Sequence, residues 1–188
     1  MSKVDLRLQC GMPCSKLEVS TVQHGTLSGA GYLHQSLDEV FVKINGKLRY
    51  LWRAVDHEGE VLEAVVTSKR DKAAALKLLK RIMKKYGSPR RVVTDGLRAY
   101  SAAMNEIGAA DRHKVGPRLN NRAENSHQPF RRRERAMQQF RSMKTLQKFS
   151  SIHADVHNHF NQERHLVTRQ AYKQRRAGAL AEWRALAA

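Results

Sequence analysis

From Leu37 onward, apolar and polar positions alternate in the two-residue rhythm of a half-buried strand. Asp38-Glu39-Val40-Phe41-Val42-Lys43-Ile44 runs into Asn45-Gly46, a pair that tolerates positive φ and marks a two-residue hairpin. Lys47 to Val55 reads as the return strand, Asp56 to Gly59 as a second turn, and Glu60 to Thr67 as a third strand. The period then lengthens. After Asp71, suited to an N-cap, Leu76, Leu79, Ile82, Met83 and Tyr86 recur at helical spacing until Gly87 and Pro89 stop the run. Arg91 to Thr94 is a short strand of buried type ending at Asp95-Gly96. Leu97 to Ile107 is a helix closed by Gly108, and His113 to Val115 is a fifth short strand.

Asn120 and Asn121 suit a helix start, and a long polar helix is expected from about Arg122 to Arg141. Beyond Lys144, the residues Phe149, Ile152, Val156 and Phe160 make an apolar stripe, and the Ala-rich segment from Arg169 to Ala188 is helical in character. Before Leu37 neither period persists. The expected organisation is an irregular or disordered segment over 1–34, a core over 35–165 and a helical tail over 166–188. The element order predicts an α/β fold: a mixed five-stranded sheet flanked by helices, with further helices at the C-terminus.

Charge changes the picture more than composition does. The 188 residues are 41% hydrophobic, enough for a packed core, yet carry 35 Lys and Arg against 17 Asp and Glu, a net of +18. That excess attracts polyanions and makes nucleic acid the leading partner. No stretch approaches the roughly 18 apolar residues that span a bilayer, and the N-terminus lacks a signal-peptide layout. The expectation is a bacterial cytoplasmic, nucleoid-associated protein with no membrane partner. Cys10 and Cys14 have no second pair to complete a zinc site and read as two free thiols.

Three acids fall where chemistry could use them. Asp38 heads the first strand, Asp95 ends a strand at a glycine turn, and Glu124 lies in the first turn of the polar helix. Strand ends in open α/β sheets collect catalytic groups. Clustered carboxylates repel one another unless a cation joins them, and magnesium takes such oxygen ligands. Two ions roughly 3.5–4 Å apart can activate an attacking oxygen and stabilise a leaving one. Each acid also has an ordinary use, as a turn former or as a charge favoured by the helix dipole. Asp56, Glu58, Asp71 and Glu106 are equally acidic, and spacing alone does not separate them.

The strings LDEVFVKINGKLRYLWRAVDHEGEVLEAVV, SKRDKAAALKLLKRIMKKYGSPRRVVTDGLRAY and NNRAENSHQPFRRRERAMQQFRSMKTLQKF occur in order from Leu37. Together they resemble the insertion-sequence transposases that carry a DDE integrase-like core. The resemblance implies a ribonuclease H-like fold and the acids Asp38, Asp95 and Glu124 as a catalytic triad binding two Mg²⁺ or Mn²⁺ ions. It also implies DNA cleavage and strand transfer, with element ends and target DNA as partners and a homo-oligomer on DNA. Complete members carry a helix-turn-helix region before the core. Residues 1–34 show no such periodicity, so an N-terminally truncated or rearranged copy is expected. A remnant that only binds DNA, or a nuclease that only hydrolyses, are the alternatives.

Arg112 to Lys148 holds eleven Lys or Arg and two acids, a net of +9 that is half the total. Arg122, His127, Arg131, Arg132, Arg133 and Arg135 are the candidate DNA contacts, since such side chains grip phosphate without regard to sequence. Positions 124, 127, 128 and 131 share one helix face. Phe130 and Phe140 read as core. His153, His157 and His159 include an i, i+4 pair, but no carboxylate accompanies it in any clear pattern, and a helix-surface or core role is expected.

Overall fold

The computed structural model describes residues 34–116, 120–137, 140–161 and 167–187, with side chains for all of these except Asn121, Arg122, Glu124 and Ala187. Cys10, Cys14 and the segment expected to be irregular lie outside the described residues, apart from His34, which opens a strand.

Five strands form one sheet: β1 (His34–Ile44), β2 (Lys47–Val55), β3 (Val61–Thr67), β4 (Arg91–Thr94) and β5 (His113–Val115), in the order β3-β2-β1-β4-β5. The first three pair antiparallel, and β1 pairs parallel with β4, as β4 does with β5. Asn45 and Gly46 both adopt positive φ, which is why this dipeptide can close the hairpin in two residues.

The β1 strand begins earlier than its hydrophobic pattern does. Its first four residues pair with β4, from His34 opposite Arg91 to Leu37 opposite Thr94. Asp38 is therefore mid-strand and not at the head. Gln35 and Ser36 are buried polar residues, and they hide this part of the strand from an apolar count.

Alternation along β1 and β2 serves two cores. Leu37, Trp52 and Ala54 pack with α1 (Lys72–Tyr86) and α2 (Arg98–Glu106) through Leu78, Leu79, Ile82, Tyr100 and Met104. Val40, Val42, Ile44 and Leu51 pack on the opposite face against Phe130 of α3 (Asn121–Ala136), Phe140, and Leu146 of α4 (Met143–Phe160). Phe130 and Phe140 stack with centroids 6.5 Å apart, confirming both as core.

Two expectations about these helices change. The polar helix ends at Ala136 and a new one starts at Met143, because Ser142 caps it by accepting from the Thr145 N–H at 3.1 Å. The break lets Phe140 fold back onto Phe130. The apolar stripe of α4 is also rotated from expectation: Ile152 is 48% exposed, while Leu146, Phe149 and His153 face inward. Two α4 amides fix that rotation. Gln147 and Asn158 each donate to and accept from the backbone of edge strand β3, at 2.8–2.9 Å. They satisfy the ladder that β3 would otherwise present to solvent.

A last helix, α5 (Arg169–Ala187), meets α4 through Trp183, whose ring lies 5.8 Å from that of Phe160. No helix among the described residues is long and apolar enough to cross a membrane.

Candidate metal centre

The site forms where β4 stops and β1 continues. Leu37 is opposite Thr94, so the next residues along both strands are Asp38 and Asp95. Asp95 opens a turn in which its Oδ1 accepts from the Leu97 N–H at 3.1 Å. Gly96 follows at φ +101°, a conformation that favours glycine, and a Cβ there would also come within 3.0 Å of the Val115 side chain.

Among the described residues, one group of three metal-capable side chains is gathered: Asp38, Glu39 and Asp95 offer oxygens that all lie within 4.8 Å of one another. Such an all-carboxylate set suits a hard, oxygen-preferring divalent cation. Two of the three sequence candidates, Asp38 and Asp95, thus meet. The side chain of the third, Glu124, lies outside the described residues, as does that of Arg122; the backbone of both is in the first turn of α3.

Sequence reasoning passed over Glu39. Strand alternation sends adjacent residues to opposite faces, and Glu39 indeed turns toward α2, where the Tyr100 hydroxyl donates to it at 3.4 Å. Arg70, ahead of α1, also binds it. Burial pushes the Glu39 carboxyl above its ordinary range, the Arg70 hydrogen bond opposes this, and the Asp95 charge adds to it. The available signal was the Asp-Glu dipeptide beside a strand end.

On the other face, α3 is held over the site by two polar ties. Asn120 occupies the N-cap position without capping; its side-chain amide donates to the Leu37 carbonyl at 3.1 Å. Arg53, opposite Asp38 in the β1–β2 register, donates to the Ser126 carbonyl at 2.7 Å. His127 then sits with Nε2 3.6 Å from Asp38 Oδ2. Burial, with the Arg53 and Arg131 charges, lowers its pKa to about 3, so the ring is neutral at pH 7 and the contact is not an ion pair.

The remaining basic candidates diverge. Arg131 pairs with Glu134 one turn on, at 2.6 Å, while Arg132, Arg133 and Arg135 are exposed. Arg132 and Arg133 line a groove of about 400 Å³ with Pro129, His153 and His157. The rings of His153 and His157 stack 6.2 Å apart, and burial lowers both pKa values, that of His153 to about 4. No three-ligand group among the described residues includes them.

A family model described as a DDE domain matches residues 33–163, the span from β1 through α4. The chain belongs to the DDE-domain family of insertion-sequence transposases. Similar proteins include the transposase for insertion sequence-like element IS431mec of Staphylococcus aureus (strain Mu50 / ATCC 700699), 33% identical over 129 residues. The transposase for insertion sequence element IS257 in transposon Tn4003 of Staphylococcus aureus matches to the same extent. Each alignment covers 65% of this chain and 58% of the relative, so the chain spans less than two thirds of the length of these transposases. Among solved structures, a chain of the simian T-cell lymphotropic virus intasome aligns with TM-score 0.51 at 17% identity, covering 66% of this chain and 47% of that one. That likeness concerns the fold, which is ribonuclease H-like: a DDE core of five mixed strands between helices.

Proposed function

We propose that this chain catalyses metal-dependent cleavage and strand transfer of insertion-sequence DNA, with Asp38, Asp95 and Glu124 as its metal-binding triad. The observation that carries the reading is the meeting of Asp38 and Asp95 where β4 ends, within the span that matches the DDE domain. Two Mg²⁺ or Mn²⁺ ions, when bound, would supply Lewis acidity and charge neutralisation for attack at phosphorus. A water attacks the phosphodiester at the element end and releases a 3′-hydroxyl. That hydroxyl then attacks a target phosphodiester and expels the target's 3′-oxygen. Asp38 is held within β1 and Asp95 at the turn just after β4, and the backbone of Glu124 lies in the first turn of α3.

The DNA lies along α3. Arg132, Arg133 and Arg135 are exposed for phosphate contact, Arg122 and Arg131 are further candidates on the same helix, and neutral His127 contributes a hydrogen bond and no charge. Two element ends must meet one target, so the working form is a homo-oligomer on DNA, acting at the nucleoid of a bacterial cytoplasm.

Purified protein with Mg²⁺ or Mn²⁺ and an element-end duplex tests the reading. Strand-transfer product is expected; DNA retention without nicking would reduce the chain to a binder, and nicking without joining to a hydrolytic nuclease. Asp95→Asn is expected to abolish nicking while leaving DNA binding similar, because it removes a metal ligand and no phosphate contact. Unchanged nicking would sink the triad.

A further inference from the structure

Among the described residues, a cation held directly against these acids comes from outside the basic helix. Arg70 lies between β3 and α1, just before the N-cap residue Asp71. Its Nε donates to Glu39 Oε1, and its Nη2 sits against the same oxygen. One edge of the guanidinium is thereby committed to a carboxylate whose side chain is only 1% exposed. The group also lies over the Phe41 ring, 5.2 Å from its centroid, and Phe41 shares the strand face of Glu39. The second oxygen of Glu39 accepts from Tyr100 at 3.4 Å, so each oxygen already carries a hydrogen bond.

A buried carboxylate that loses its cation is strongly destabilised. Turning Glu39 to a metal ion would give up its contact with Arg70, and Arg70 cannot leave without stranding Glu39. Yet the Arg70 side chain is 34% exposed, and its Nη2 lies 3.9 Å from Asp95 Oδ2. With Nε and one Nη2 hydrogen directed at Glu39, three of five N–H donors remain for a ligand at the edge of the site.

Building on the metal-site reading above, we propose that Arg70 grips a phosphate oxygen of the DNA strand seated at Asp38 and Asp95, and that Glu39 is its buried anchor and not a metal ligand. Arg70 is then a substrate-binding residue, and Glu39 a positioning residue acting through it. The same oxygen-rich corner thus divides its labour: Asp38 and Asp95 face the metal, and Glu39 faces the arginine that faces the phosphate.

The test uses the full chain and four variants: Glu39→Gln, Arg70→Gln, Arg70→Lys and Asp95→Asn. Mn²⁺ affinity is measured without DNA by titration with free-ion detection. Duplex affinity is measured in Ca²⁺ over a range of salt. Arg70→Gln is expected to weaken the duplex about tenfold, as befits a lost charge-assisted hydrogen bond, and to reduce the salt slope by about one. Arg70→Lys should keep the slope and recover part of the affinity, an outcome a merely structural arginine would not give. Glu39→Gln should weaken the duplex while leaving Mn²⁺ affinity at most a few-fold lower, whereas Asp95→Asn should lose about tenfold or more.

Loss of Mn²⁺ in Glu39→Gln as deep as in Asp95→Asn would make Glu39 a ligand and overturn the proposal. So would an unaltered duplex affinity and slope in Arg70→Gln. Mn²⁺ binding untouched by Asp95→Asn would instead overturn the metal-site reading itself, whatever Arg70 does. Should Glu39→Gln lack a cooperative melt, the two Arg70 variants decide alone.

Discussion

Replacing Arg53 by Met tests whether the site is built around a buried charge. Arg53 is 3% exposed, stands opposite Asp38 across the β1–β2 pair, and donates to the Ser126 carbonyl at 2.7 Å. Burial lowers its pKa to about 10 and the Asp38 charge resists that, so the guanidinium is protonated at pH 7. Methionine keeps the unbranched stem and removes the cation. The charge-assisted hydrogen bond contributes about 1.5–3 kcal/mol. Asp38, itself buried, also loses the charge of a cation that acts on it through space, and leaving a buried charge uncompensated brings the cost to about 3–5 kcal/mol in all. Urea unfolding in EDTA, followed by the fluorescence of buried Trp52, should show a loss of that size. Added Mg²⁺ should then shrink it, because a divalent ion at Asp38 replaces the missing charge; each tenfold tightening of metal binding in the variant recovers about 1.4 kcal/mol at saturating ion. A loss below about 1 kcal/mol would refute the argument. A loss identical with and without Mg²⁺ would refute its electrostatic part.

Further outcomes follow from α3. Neutralising Arg131, Arg132 and Arg133 to Gln should weaken DNA binding and lower the salt slope by about two, since Arg131 already spends its charge on Glu134. An unaltered slope in anisotropy titrations would tell against that helix as the DNA face. Phe130→Ala removes the ring between Phe140 and Phe149 and should cost about 3–5 kcal/mol in urea unfolding, with α3 no longer fixed over the site. A cost below about 1 kcal/mol would show that this core does not hold the helix. His127 gives a pH signature. Its folded value of about 3 lies below the ordinary 6.5, so between these the unfolded chain takes a proton that the folded chain refuses. Its contribution to stability therefore falls as pH falls from 6.5 toward 3, by about 1 kcal/mol per unit. Urea midpoints of His127→Gln should drop less between pH 7 and about pH 5 than those of the unaltered protein, and parallel curves would contradict this.

The periodicities of the chain by themselves determined the meander, its Asn45-Gly46 turn, the helix from Asp71 to Tyr86, the strands at Arg91 and His113, and hence the mixed sheet. These signals are local: alternation, helical spacing and positive-φ turn residues act over a few positions. The resemblance carried by the three motifs in order singled out Asp38, Asp95 and Glu124 among acids that spacing alone did not separate. The meeting of Asp38 and Asp95 was not legible. It depends on β4 ending at Thr94 while β1 runs on, a property of register between segments more than fifty residues apart. The first strand residues, His34 to Ser36, were missed because they pair with β4 without an apolar pattern, Gln35 and Ser36 being buried polar residues. Asn120 looked like a cap, but a buried carbonyl of β1 claimed its side chain. Glu39 and Arg70 show the limit most plainly. Alternation assigns Glu39 to the face away from Asp38, and no spacing rule joins it to an arginine thirty-one positions on. Only the packed sheet, by burying that carboxylate beside Asp38 and Asp95, forced it to hold a cation there.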